Sequence, residues 1–180
     1  MDICSSQPRS YSSLGRELGQ LLKERGLTVS CAESLTGGTI ASMIAQIAGS
    51  SAYFKGSVTS YAVSVKEEVL GVDVSEGVVS QSTARQMAMG VARLLRSDCA
   101  VATTGIAGPG GAEPGKPVGT VCIAAMIRDL RPVSDASETS SEVAPVARVI
   151  SRTYCFEGDR EAVILQSADA ALRLLLEILA

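Results

Sequence analysis

The chain has no histidine and no tryptophan. Without imidazole, nucleophile activation of the Ser–His or Cys–His kind is excluded, and any base must be a lysine, a carboxylate or a tyrosine. Aromatic side chains make up only 3% of the sequence, and the net charge is −3 with a pI near 5.1. Few rings for stacking and no basic excess speak against a nucleic-acid partner. No apolar run reaches the roughly 18–20 residues of a membrane span, so no membrane partner is expected either. Five cysteines, an odd number without a C-x-x-C pair, fit neither a zinc site nor a disulfide framework. Reduced thiols in a soluble, cytoplasmic protein are the expectation, with Cys31, Cys99, Cys122 and Cys155 as small buried hydrophobes in apolar or β-rich stretches. Residues 1–10 lack a basic segment followed by an apolar one, and 1–13 read as a flexible polar tail rather than a secretory signal. No metal and no cofactor is expected.

What is present is a chain of 180 residues, 46% hydrophobic, without a composition break. That predicts a single domain over 14–180 with a real core. Apolar residues at helical spacing predict helices over 14–25, 36–49, 81–96 and 159–179, with Gly26 closing the first and Ser80 and Asp159 capping the last two. Strands are predicted over 28–32, 53–61, 98–103, 118–127 and 149–156, and a short helix over 64–70. Residues 104–117 are too rich in Gly and Pro for helix or strand and read as a loop. The polar stretch 128–147 reads as an insertion or extended hairpin between two antiparallel strands. Alternating strands and helices predict an α/β fold, a three-layer α/β/α sandwich around a mixed, mostly parallel sheet.

Four places carry candidate chemistry. Ser34, in Ala-Glu-Ser-Leu-Thr-Gly-Gly, lies where a strand turns into a helix, with Thr36, Gly37 and Gly38 opening that helix. Free helix amides at such a turn would hold a nucleophile or a phosphate; otherwise Ser34 is simply a helix cap. Lys66 is a base if burial lowers its pKa, or else a solvated lysine paired with Glu67 or Glu68. Tyr61 either relays a proton or closes the core. The loop after the buried strand 98–103 contains Gly105, Gly108, Gly110 and Gly111, which allow close backbone approach to a ligand or oxyanion, or make a structural turn. It matches neither the Walker pattern nor G-x-G-x-x-G. Arg160 opens a helix against the helix dipole, so it holds an anion or is an exposed surface arginine.

Taken together, 32–38 (AESLTGG), 53–62 (YFKGSVTSYA), 66–72, 103–111 (TTGIAGPGG), 116–120 (KPVGT) and 156–160 (FEGDR) resemble the CinA C-terminal domain family, in the same order. The resemblance runs from about residue 14 to the C-terminus and does not include the N-terminal domain that many CinA proteins carry. It implies a nicotinamide-nucleotide amidohydrolase that converts nicotinamide mononucleotide and water to nicotinic acid mononucleotide and ammonia, in pyridine nucleotide salvage. By position it implies Ser34 as the nucleophile, Lys66 as its base and Tyr61 as an assisting or orienting group. It also implies Thr104 and Gly105 as oxyanion donors, and Arg160 with the glycine loops as the phosphate site. A homodimer or higher homo-oligomer and a small-molecule nucleotide substrate are implied as well. Ile164 and Leu165 stand near where the family often has a second arginine, and 128–147 is longer and more polar than the family's usual link. The rival expectation is an inactive binding module of the same fold, serving competence or DNA damage.

Overall fold

The computed structural model describes residues 12–128 and 147–180. The chain runs α1 (Ser12–Arg25), β1 (Val29–Glu33), α2 (Thr39–Ala45), β2 (Phe54–Thr59), a π-helical turn (Val65–Val69), α3 (Gln81–Leu95), β3 (Cys99–Gly105), β4 (Thr120–Arg128), β5 (Ala147–Cys155) and α4 (Arg160–Leu179). Helix α1 begins two residues inside the expected tail; the rest of that tail, 1–11, lies outside the described residues, as do 129–146 of the expected insertion.

The five strands form one sheet in the order β2-β1-β3-β4-β5. β1 pairs in parallel with β2 and β3, whereas β4 pairs antiparallel with both β3 and β5. The sheet is therefore mixed, with four strands pointing one way and β4 the other. Period-two alternation divides its side chains between two cores. Val29, Cys31, Cys99, Val101, Val121 and Ile123 pack on α1, α2 and α4. Ala32, Ala100, Ala102, Cys122, Ala124 and Met126 pack on α3. This is the three-layer α/β/α sandwich that the alternating pattern predicts.

Both long late helices start at side-chain caps, where an oxygen satisfies an otherwise unpaired helix amide, worth about 1 kcal/mol each. Ser80 Oγ accepts from Thr83 N and Asp159 from Ala162 N. In α4, Val163, Ser167, Ala171, Leu174, Leu175 and Ile178 are buried, as helical spacing predicts. Helix α2 is shorter than predicted. Gly37 and Gly38 sit at φ +58° and +108°, outside the helical range, so the helix starts only at Thr39. Cys155 corrects another expectation: it lies on edge strand β5 and is exposed, while Cys31, Cys99 and Cys122 are buried. Desolvation raises the Cys31 thiol pKa well above its ordinary value and that of Cys99 to about 12, so both behave as inert apolar groups.

The connections decide where a ligand can enter. From β1 the chain crosses α2 on one face to reach β2; from β2 it crosses α3 on the other face to reach β3. The chain thus leaves β1 and β2 toward opposite faces, and the crevice beyond the carboxyl ends of such strands is where open α/β sheets bind ligands. Glu33, Thr59 and Thr103 lie level at that end.

Candidate active site

Ser34 follows β1 directly, and both of its backbone groups are tied. Its N–H donates to Thr103 O at 3.0 Å, and its carbonyl accepts from Gly37 N at 3.2 Å. Alternation along β1 puts Cys31 and Glu33 on the α2 side and Ala32 on the α3 side, so Ser34 turns toward the α3 side.

Lys66 approaches from that side. It belongs to the π-helical turn, a geometry that widens one turn and recurs at functional sites. Leu70 anchors the turn in the α3 core, where Gly90 of α3 leaves room for the Leu70 carbonyl that any Cβ would strike. Arg93 Nη2 donates to the same carbonyl at 3.1 Å. The solvated reading of Lys66 is thereby corrected, because the side chain is 1% exposed while Glu67 and Glu68 face solvent.

The Lys66 amine donates to Ser60 O at 2.5 Å and Tyr61 O at 3.3 Å, and lies 3.0 Å from Ser34 Oγ. Burial lowers its pKa, since desolvation disfavours the ammonium form. A neutral amine keeps two N–H donors, which the two carbonyls accept, and one lone pair, which is left facing the Ser34 hydroxyl. That is the arrangement needed to take a proton from serine.

A cleft of about 220 Å³ opens over this pair, lined by Ser34, Leu35, Tyr61, Lys66, Val78, Val79, Thr104, Gly105, Ala107 and Arg160. Six of the expected residues therefore meet in one place. The Tyr61 hydroxyl, however, accepts from Arg160 Nη2 at 2.8 Å rather than touching the lysine; only its backbone carbonyl reaches the amine. Arg160 also donates through Nη1 to Gly108 O at 2.7 Å, so the guanidinium bridges the β2 exit and the glycine loop at the cleft rim. Thr104 lies in β3, not in the loop, and its hydroxyl donates to Val78 O at 2.8 Å, holding the 72–80 segment over the cleft. Gly105 also closes β3. A Cβ there would come within 2.6 Å of Thr120 O, so glycine is required by the neighbouring strand.

The remaining expected residues lie elsewhere. Thr36 is buried beneath the turn, where its hydroxyl shares a 2.8 Å hydrogen bond with that of Thr103. Gly37 and Gly38 line a separate cleft with Ser42, Gln46 and Leu165, away from Lys66. Gly110 is exposed, with open space around it. The expectation of free helix amides at this turn is corrected too: the Glu33 carboxylate accepts from Gly38 N, Ile40 N and Ala41 N at 2.9–3.0 Å. Glu33 and the carbonyls of Ser60 and Tyr61 are the groups around Ser34 and Lys66 that sequence reasoning missed. A carboxylate placed one residue before Ser34, with the first amides of α2 five to eight residues on, was the available signal.

Known proteins are similar to this chain in sequence and fold. The family model of the CinA C-terminal domain matches residues 11–179. Nicotinamide-nucleotide amidohydrolase PncC of Escherichia coli (strain K12) is 40% identical over 167 residues, 90% of each chain. A CinA-like protein of Chloroherpeton thalassium is 40% identical over 170 residues, which are 92% of this chain but only 37% of that longer one. The solved structure of competence/damage inducible protein CihA from Agrobacterium tumefaciens superposes with a TM-score of 0.82 at 34% identity, covering 98% of this chain and 99% of the other. The chain belongs to the CinA C-terminal domain family.

Proposed function

We propose that this protein is an amidohydrolase that converts nicotinamide mononucleotide and water to nicotinic acid mononucleotide and ammonia, with Ser34 as nucleophile and Lys66 as its base. The observation that carries this reading is the buried Lys66 amine 3.0 Å from Ser34 Oγ, with carbonyls accepting its remaining N–H groups. Its likeness over nine-tenths of its length to PncC, named a nicotinamide-nucleotide amidohydrolase, supports the substrate.

In the proposed reaction Ser34 Oγ bonds to the carboxamide carbon while its proton passes to Lys66 Nζ. The tetrahedral intermediate collapses with cleavage of the C–N bond, and the leaving nitrogen takes that proton from Lys66 and departs as ammonia. Water then attacks the acyl-serine, again giving its proton to Lys66, and Ser34 recovers a proton as the nicotinic acid product leaves. Arg160 supplies two-pronged donors for the nucleotide phosphate at the rim. The Tyr61 phenol, hydrogen-bonded to Arg160, orients that guanidinium. Thr104 serves the oxyanion only by giving up its bond to Val78. Within this reading the protein works in the cytoplasm as a homodimer or higher homo-oligomer, which light scattering would test.

The decisive experiment measures ammonia release from nicotinamide mononucleotide by the purified, folded protein. Turnover abolished by Ser34→Ala supports the reading. Absence of turnover in folded wild type overturns it in favour of a binding module.

A further inference from the structure

The Glu33 carboxylate is completely buried beside the turn that carries Ser34, and the proposed reaction does not use it. All its partners are donors. Oε2 accepts from Gly38 N and Ile40 N, both at 3.0 Å; Oε1 accepts from Ala41 N at 2.9 Å and from Ser57 Oγ at 3.4 Å. Residue Gly38 at the start of α2 has a left-handed backbone and offers no side-chain cap. Glu33 caps the helix instead from the end of β1, and so closes residues 34–37 into a short loop between strand and helix. The loop is also pinned inside, by Ser34 N to Thr103 O and by the Thr36–Thr103 hydroxyl pair. Because neighbouring strand residues face opposite ways, Glu33 grips α2 while Ser34 presents Oγ to Lys66. A rotation of the backbone that loosened one would swing the other.

We infer that Glu33 is a positioning residue, whose carboxylate, by fastening the start of α2 and Ser57, sets the Ser34 hydroxyl at its working distance from Lys66. This rests on the reading of Ser34 as nucleophile. An ionised carboxylate accepts at both oxygens, whereas a glutamine of the same shape must turn its NH2 toward one set of donors. The turn then shifts. Displacement of a reacting atom by around 1 Å costs up to about 100-fold in rate.

The test uses a small fluorophosphonate, in which Ser34 Oγ bonds to phosphorus, fluoride leaves and the serine proton passes to Lys66. Intact mass follows the labelling with time. Wild type is expected to label at Ser34. Glu33→Gln, shown folded by near-UV circular dichroism, is expected to label with a rate constant about 10- to 100-fold lower. It should also release ammonia correspondingly slowly, with KM within about twofold of wild type. Glu33→Asp keeps the charge but loses a methylene of reach, and is expected to fall between the two. A merely structural role would lower the labelled fraction and leave the rate constant unchanged. Equal rate constants in Glu33→Gln and wild type would therefore overturn the inference, as would failure of both variants to fold, which would assign Glu33 to the fold itself. Slow labelling of Glu33→Gln beside rapid labelling of wild type supports it. Wild type that neither labels nor releases ammonia removes the nucleophile reading, and the positioning role goes with it.

Discussion

Among the described residues, two carboxylate or cationic side chains are buried, Glu33 at 0% and Lys66 at 1% exposure, and they sit at the same end of the sheet on opposite faces. Glu33 meets three backbone amides and a hydroxyl, donors set by the start of α2 and by β2. Lys66 meets two carbonyls and a hydroxyl that can itself give up a proton. A buried ionisable group whose every partner complements it is a fastening. One whose partners suit its neutral form equally well, and whose pKa burial has lowered, is available for proton transfer. The fold supplies both kinds within one strand exit.

Removing the reactive side of this pair should have the largest effect. Ser34→Ala and Lys66→Met are each expected to lower kcat for ammonia release by roughly 1,000-fold or more, with the double variant scarcely worse than either, because the two act as one unit. Additive losses in the double variant would break the comparison, since they would show that Lys66 does not act through Ser34.

The pH dependence comes next. Because burial lowers the Lys66 pKa in the folded state, there is an interval below the ordinary lysine value in which the unfolded chain holds a proton that the native chain does not. Stability contributed by this group therefore rises with pH across that interval and is lost as pH falls through the folded pKa. Activity follows the same limb, because only the neutral amine accepts the serine proton. The acid limb of kcat/KM is expected to have its midpoint below the ordinary lysine value, and the stability contribution should vanish in Lys66→Met when urea unfolding is repeated across pH. An acid limb at the ordinary lysine value would remove the desolvated base.

A smaller effect is expected at the rim. Arg160→Ala should raise KM for nicotinamide mononucleotide by about 10-fold, the scale of a charge-assisted contact, while hardly changing the rate on nicotinamide. Tyr61→Phe, which deletes only the phenol that meets Arg160, should raise the same KM by about two- to threefold. Tyr61 is 60% exposed, and its partner keeps the bond to Gly108. A fall in kcat without a change in KM would instead place the phenol in the proton transfer.

The layers and the caps could be read from the chain because they depend on local patterns. The continuous apolar run in 99–102, helical spacing in 163–178 and oxygen side chains at Ser80 and Asp159 each state their structure within a few residues. The candidate site was legible as residue types, since a chain without histidine directs attention to lysine. Its geometry was not. Whether Lys66 is buried depends on Leu70 entering the α3 core and on Gly90 making room, contacts twenty residues apart. The glycines were open to two readings for a related reason. Gly105 is required by β4 and Gly108 by Val118, whose side chain a Cβ would meet at 2.6 Å, so close packing against protein produced the same letters as close approach to a ligand.

Gly110 gives the finest division between those two origins of a glycine. It has no left-handed backbone, is exposed, and a Cβ placed on it meets nothing within 4 Å. Replacement by alanine therefore lacks any steric objection within the protein and removes some freedom from the unfolded chain, which on similar sites stabilises by about 0.4–1 kcal/mol. Thermal unfolding of Gly110→Ala should show a midpoint equal to or slightly above that of wild type, with KM for nicotinamide mononucleotide unchanged. A several-fold rise in KM at unaltered stability would mean that the loop reaches the substrate at Gly110, and would extend the ligand side of the comparison beyond Arg160 to the loop that Arg160 holds.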